Sequence, residues 1–264
     1  MKFHTLAGLP RSGTTLLANV LSQHPDVFVS GTSALPLCVE SFSNTLSSAP
    51  EVQSDLVAIP GAYERYLRAL RGMIEGWYAD RKEKFIFDKG RGWVMHRALL
   101  DQLYPDATLV VSVRDPRDVI ASIERQHRKT ALFTSPMAPT LYESADLLMK
   151  PDGMVGGPIR FIEDLLRRQV ANVCWVRYES FVVDPKESMK RIENAAGLKP
   201  FHWDFEHVSN SSTDVDGLYR HKFPHDGDGP IKPKGISWED CLSPELAATI
   251  AAVYPLYMHT FGYA

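Results

Sequence analysis

Gly8-Leu9-Pro10-Arg11-Ser12-Gly13-Thr14-Thr15 stands between an apolar run, Phe3-His4-Thr5-Leu6-Ala7, and an amphipathic stretch from about Gly13 to Ser22. The first run reads as a strand and the second as a helix, so the segment between them is a strand-to-helix turn. Its G-x-x-x-x-G spacing points successive backbone N–H groups and a helix N-terminus at one anion. Gly13 permits the backbone conformation such a turn needs, while Thr14 and Thr15 add hydroxyl donors. The loop departs from that of a nucleoside triphosphatase at one informative place. Where Lys should follow the second glycine the chain has Thr14, and its one strong cation, Arg11, lies inside the loop.

The pattern repeats outward from this turn. Residues 85–88 (FIFD), Thr108–Val113 and 173–177 (VCWVR) read as three more strands, the second apolar throughout as for a strand covered on both faces. Asp115-Pro116 opens a helix to about Arg125, Asp184-Pro185 another towards Ala196-Gly197, and Pro244 a last one to about Phe261. Strands separated by helices predict βαβ units. The expected class is α/β: a P-loop-type three-layer fold with a central parallel sheet and helices on both faces. Residues 127–160, with Pro136, Pro139, Pro151 and Pro158, read as an insertion or lid, and 207–236 as a loop.

Composition narrows the function. The chain has 264 residues, 29 Lys+Arg against 32 Asp+Glu, a formal charge of −3, 44% hydrophobic and 23% charged residues. That is a folded globular chain with enough length for a sizeable core, expected as a single domain over 1–264. The near-neutral balance argues against a nucleic-acid partner, but a local basic pocket disappears in a whole-chain sum. Cys38, Cys174 and Cys241 are odd in number and far apart, which reads as free thiols in a reducing compartment. The N-terminus MKFHTLAGLPRSGTT lacks the apolar core of a signal peptide, and no run approaches a membrane span. The expectation is a cytoplasmic protein without a membrane partner. No motif specifies an oligomeric state.

A second anion site follows the third predicted strand. In Val113-Arg-Asp-Pro-Arg-Asp-Val-Ile-Ala-Ser122, Arg114 ends the strand and Ser122 lies about two turns into the helix. A guanidinium fork and a hydroxyl so spaced suit one phosphate. Alone, the same letters also describe a solvated helix start with i, i+3 charge pairs.

Together the two segments resemble the sulfotransferases that use 3′-phosphoadenosine-5′-phosphosulfate (PAPS). The resemblance implies that the LPRSGTTL loop, with Arg11, Ser12, Gly13, Thr14 and Thr15, holds the 5′-phosphosulfate, and that Arg114 and Ser122 hold the 3′-phosphate. Phe87-Asp-Lys89 matches the family's strand-end Lys, and Val176-Arg-Tyr178-Glu the segment whose Tyr lies near the adenosine. Ile231-Lys232-Pro233, Ser237-Trp238, Pro244 and the PRSGTTL…HPDV run at 10–27 are similar to the tyrosylprotein sulfotransferase branch, which adds Lys232 and Ser237 to the nucleotide site. The implied reaction is in-line transfer of a sulfuryl group from PAPS to a hydroxyl or amine. Arg11 and Lys89 would stabilise charge on the bridging and equatorial oxygens, with no metal expected. The acceptor is a small molecule, a sugar or a peptide.

The resemblance does not supply a general base. Where the tyrosylprotein branch has Glu this chain has Ser30-Gly-Thr-Ser-Ala-Leu-Pro36, and where the cytosolic branch has His it has Arg91. Glu40, His96, Glu124 and His127 are the candidates. Residues 37–84 with Tyr63, Tyr66, Trp77 and Tyr78, and the lid, are expected to shape the acceptor site, core packing being the alternative for the aromatics. His221, His225, Asp226 and Asp228 match no metal-ligand spacing, whereas Lys222, Lys232 and Lys234 are placed to close over phosphates. Two other readings stand beside transfer from PAPS: a P-loop small-molecule kinase, with Asp88 towards a metal, and a nucleotide-binding protein that has lost catalysis.

Overall fold

In the computed structural model, residues 1–129, 140–210, 229–233 and 237–264 are described. Five strands form one sheet in the order β2-β3-β1-β4-β5, with β1 Lys2–Gly8, β2 Val27–Thr32, β3 Phe85–Lys89, β4 Leu109–Val113 and β5 Val173–Arg177. Every pairing is parallel. Four of these strands coincide with the predicted runs. The fifth, β2, is an edge strand whose sequence VFVSGT gives up its apolar character halfway, and its register against β3 shifts between Val29 and Thr32.

Strand alternation sends side chains to two separate cores. On one face Leu6, Phe85, Phe87, Val110 and Val176 pack against α1 (Thr14–Leu21), α9 (Tyr178–Val183) and α10 (Pro185–Ala196). On the other, Phe3, Ala7, Ile86, Val111 and Val113 pack under a thicker layer. That layer includes α2 (Leu35–Ser48), α4 (Ala62–Trp77) after α3 (Pro50–Ala58), α5 (Arg97–Leu103), α6 (Pro116–Lys129), α7 (Leu141–Met149), α8 (Gly156–Arg167) and the C-terminal helices. Helices therefore cover both faces, and residues 37–84 are largely helical.

Local chemistry sets the helix ends. Asp184 accepts the Glu187 N–H at 3.1 Å, Pro185 occupies the first position of α10, and Gly197 ends it in the left-handed region at φ 66°. The last predicted helix is in fact two, α11 (Pro244–Val253) and α12 (Pro255–Thr260). Pro255 has no N–H to give and holds Tyr254 away from helical geometry, at φ −130° and ψ 71°. The segment 127–160 carries the end of α6, all of α7 and the start of α8, and residues 130–139 lie outside the described residues. So do His221, Lys222, His225, Asp226, Asp228 and Lys234. Cys38, Cys174 and Cys241 are free thiols.

Candidate functional site

The strand order fixes where a ligand crevice opens. From β1 the chain moves to the β2 side of the sheet, and from β4 to the β5 side, while α1 and α6 lie on opposite faces. Adjacent strands whose connections part in this way leave a crevice beyond their carboxyl ends. The Gly8–Thr15 turn leaves β1 there and Arg114 leaves β4, two residues past Ser112, the partner of Gly8.

The turn is closed by two serines, one its own and one from β4. Ser12 Oγ donates to the Leu9 carbonyl at 2.7 Å, and Ser112 Oγ donates to the Ser12 carbonyl at 2.5 Å. Gly8 has no room for a side chain, since an added Cβ would lie 2.5 Å from the Ser112 carbonyl oxygen. Arg11 takes φ 60°, a conformation that costs a non-glycine residue of order 1–3 kcal/mol and tends to be retained at functional sites. Gly13, at φ 82°, lies against the Tyr178 ring, where a Cβ would approach to 2.6 Å.

Three cations meet around this turn. Arg11 Nε donates to Ser122 Oγ at 3.2 Å, Arg114 Nη1 donates to the Arg11 carbonyl at 2.9 Å, and Lys89 Nζ donates to Thr15 Oγ1 at 3.1 Å. The Arg114 guanidinium sits 4.5 Å above the centre of the Tyr178 ring. Among the described residues its nearest acid, Asp118, stands 3.9 Å away and also accepts the Trp238 N–H. Burial pushes the Asp118 carboxyl upward in pKa, and Arg114 pulls it back. Arg117, three residues on, is committed elsewhere: it is paired with Asp115 at 2.7 Å and donates to the Tyr263 carbonyl.

Asp88 and Lys89 face opposite ways because strand residues alternate. The Asp88 carboxylate, fully buried on the thicker face, accepts from Tyr78 Oη and from Trp93 Nε1. Burial raises both the Asp88 and the Tyr78 pKa. Lys89 is held from behind, its N–H donating to Ser30 Oγ at 2.8 Å.

The structure thus brings together Arg11, Ser12, Gly13, Thr15, Lys89, Arg114, Ser122 and Tyr178, with Thr14 packed on Gly8. Ser237 Oγ accepts the Glu239 N–H in a short 3-10 turn, one residue from the Trp238 that Asp118 holds. Lys232 is exposed. Among the candidate bases, Glu124 is paired with Arg128 at 3.0 Å. His96 is buried beside Trp93, its pKa lowered by burial and partly restored by Glu40. Of the aromatics, Tyr78 is core, Tyr66 donates to Asp55, and Tyr63 and Trp77 are exposed.

One residue of this region carries no sequence signal. Tyr257 of α12, wholly buried, accepts the Arg114 N–H through its hydroxyl at 3.1 Å and donates that hydroxyl to the Arg114 carbonyl at 2.9 Å. Burial raises its pKa far above the tyrosine range, so it stays a neutral donor and acceptor.

Comparison with known proteins gives the family and the fold. The model of the "Sulfotransferase family" matches residues 5–203. The nodulation protein NoeE of Sinorhizobium fredii is 26% identical over 223 residues, covering 74% of this chain and 50% of its own length. This chain thus spans about half of that relative. A putative protein-tyrosine sulfotransferase of Caenorhabditis briggsae is 24% identical, covering 98% of this chain and 88% of its own. Among solved structures, a mouse sulfotransferase complexed with PAP superposes with a TM-score of 0.55 at 15% identity, covering 97% of this chain and 84% of its own. That likeness shows the fold.

Proposed function

The chain belongs to the sulfotransferase family, and from that premise we propose that it moves a sulfuryl group from PAPS to a hydroxyl or amine acceptor. The observation that carries this reading is the meeting of Arg11, Lys89 and Arg114 around one glycine turn in a protein of net charge −3. Three cations converging on one turn create a positive field suited to an anion. Arg114 Nε is a buried donor without a partner among the described residues, as expected of a group whose acceptor arrives with the ligand.

In this reading Arg114 and Ser122 hold the 3′-phosphate, Tyr178 lies by the adenosine, and the N–H groups of Gly13 to Thr15 face the 5′-phosphosulfate, with Ser12, whose own N–H goes to the Leu9 carbonyl, closing the turn beneath it. Lys232 and Ser237 approach from the C-terminal segment. The donor supplies an activated sulfuryl group. Arg11 and Lys89 neutralise charge as the acceptor–sulfur bond forms and the sulfur–oxygen bond to the 5′-phosphate breaks. The kinase alternative loses support from Asp88, whose carboxylate is taken up by Tyr78 and Trp93 on the other face. Among the described residues no group of His, Cys, Asp and Glu is arranged to hold a metal ion, and no helix is long and apolar enough to cross a membrane. One domain, a lid at 127–160 and a reducing, cytoplasmic compartment complete the proposal, the last supported by three free thiols.

Thermal shift tests the donor. At about 100 times its dissociation constant, 3′,5′-bisphosphoadenosine (PAP) should add roughly 2.7 kcal/mol of stability, and Mg-ATP little. The reverse ranking would remove the sulfotransferase reading. Transfer of labelled sulfate from PAPS to phenols, sugars and peptides then tests catalysis.

A further inference from the structure

The start of α6 sets an acid beside the arginine of the second anion site. The Asp115 carboxylate accepts the Arg117 N–H at 2.9 Å and its carbonyl accepts the Val119 N–H at 3.0 Å, which opens the helix. Asp118 is the acidic residue of the first turn, where the helix dipole favours a carboxylate. It also lies four residues past Arg114, and that spacing turns it back toward the guanidinium, with Oδ2 standing 3.9 Å from Nη2.

The pair is short of water: side-chain exposure is 6% for Arg114 and 18% for Asp118, so their charges are weakly screened. The guanidinium is used unevenly. Nη1 donates to the Arg11 carbonyl at 2.9 Å, one face lies over the Tyr178 ring, and Nε is buried without an acceptor among the described residues. Nη2 faces Asp118 across a gap too long for a hydrogen bond. Asp118 is itself tethered, since its Oδ1 accepts the Trp238 N–H at 2.9 Å. An anion arriving at Nε therefore meets a carboxylate on the same fork.

The surroundings make that carboxylate sensitive to added negative charge. Burial first, and then Asp115 and Glu179 of α9, hold its pKa above the usual carboxylate range, against the pull of Arg114 and the Trp238 N–H. The other cations nearby are engaged: Arg117 with Asp115, Arg125 with Asp240 at 3.7 Å, and Glu239 acts on Arg117 as well. A phosphate on Arg114 would push Asp118 further the same way.

We propose that Asp118 is a counter-charge built into the nucleotide site: it competes with the 3′-phosphate for Arg114 and sets nucleotide affinity below what the cations alone would give. The proposal rests on the PAPS reading above, in which Arg114 takes the 3′-phosphate. Three cations around one turn would hold PAP long after the sulfuryl group has left, and a carboxylate on the same fork shortens that stay. Protonation of Asp118 ends the competition. The effect is therefore largest near neutral pH and fades as acid neutralises the carboxyl.

The test is calorimetric titration of PAP, and of AMP as the nucleotide without a 3′-phosphate, into the parent and into Asp118→Asn. Asparagine keeps an oxygen for the Trp238 N–H and removes the charge. Asp118→Ser does the same with a hydroxyl and serves as the second variant. At pH 7 both variants should bind PAP about tenfold tighter than the parent, the order expected of like charges in a half-dry site, and AMP unchanged. That advantage should shrink as pH falls from 7 to 5, because the carboxyl of the parent becomes neutral while the variants have none to titrate. Protonation of the phosphates is common to all three proteins and cancels in the ratio. Equal PAP affinity, weaker PAP binding in both variants, an equal gain for AMP, or a gain that does not change with pH would each overturn the proposal. Failure of PAP to bind the parent would instead bring down the donor reading, and this proposal with it.

Discussion

At the carboxyl ends of the strands Arg11, Lys89 and Arg114 crowd around one turn, whereas at the amino ends a buried histidine, His4, is kept neutral. Both places are short of water, so both should resist charge. The difference lies in the partners. At the carboxyl ends Ser122, Thr15 and the Arg11 carbonyl accept from Arg11, Lys89 and Arg114, and Asp118 stands 3.9 Å from Arg114. His4 instead accepts the Thr108 N–H on Nδ1 at 3.0 Å and stacks on Phe87. Positive charge gathers at the first place, and His4 refuses it at the second.

Lys89→Met gives the largest expected break in that contrast. It keeps the length of the side chain and removes the charge, so kcat should fall by roughly 10²–10³, about 3–4 kcal/mol, the loss typical of one electrostatic donor. Stability should hold, because removing a buried ammonium also removes its desolvation cost. Steady-state kinetics beside urea unfolding will check this. Near-normal kcat would mean that Lys89 does not face the reacting oxygens.

The phosphate turn was readable because its signal is local: six residues of spacing between an apolar run and an amphipathic one, and likewise Arg114 with Ser122 within one helix start. What sequence reading missed has physical reasons. Edge strand β2 has only its first half apolar, as Ser30 turns its hydroxyl to the Lys89 N–H and Gly31 follows. The last helix reads as continuous since the Pro255 break falls inside a pattern that keeps its apolar face. Asp88 looks like a phosphate-site carboxylate until the pleat turns it to Tyr78 and Trp93.

The amino ends supply the second prediction. Burial first, and Lys2 second, lower the His4 pKa from 6.5 to about 4. Between those values the unfolded chain binds a proton that the folded one refuses. Stability is therefore complete above pH 6.5 and declines as pH falls towards 4, by about 3 kcal/mol in total. His4→Gln retains an acceptor for the Thr108 N–H but does not titrate. Between pH 7 and pH 4 its urea-unfolding free energy should fall by about 3 kcal/mol less than that of the parent. PAP affinity at pH 7 should be the same in both, since the change lies at the far end of the sheet. Equal losses would show that His4 is already protonated in the fold, or that its burial is relieved.

The smallest effect is the most discriminating. Tyr257 lies 143 residues from Arg114, yet its hydroxyl closes both backbone groups of that arginine. Tyr257→Phe keeps the ring, which packs on Phe261 at 4.9 Å, and leaves a buried N–H and C=O unpaired. A net loss of about 1 kcal/mol in aligning the guanidinium corresponds to roughly fivefold in affinity. That loss should fall on PAP and spare AMP, which lacks the 3′-phosphate that Arg114 is proposed to take. General loosening of the C-terminal helix would weaken both nucleotides alike, and the two titrations therefore separate positioning from packing. Arg114→Ala sets the limit: it should bring PAP down to the affinity of AMP, and Tyr257→Phe should add little in that background, because the tyrosine acts only through the arginine it holds.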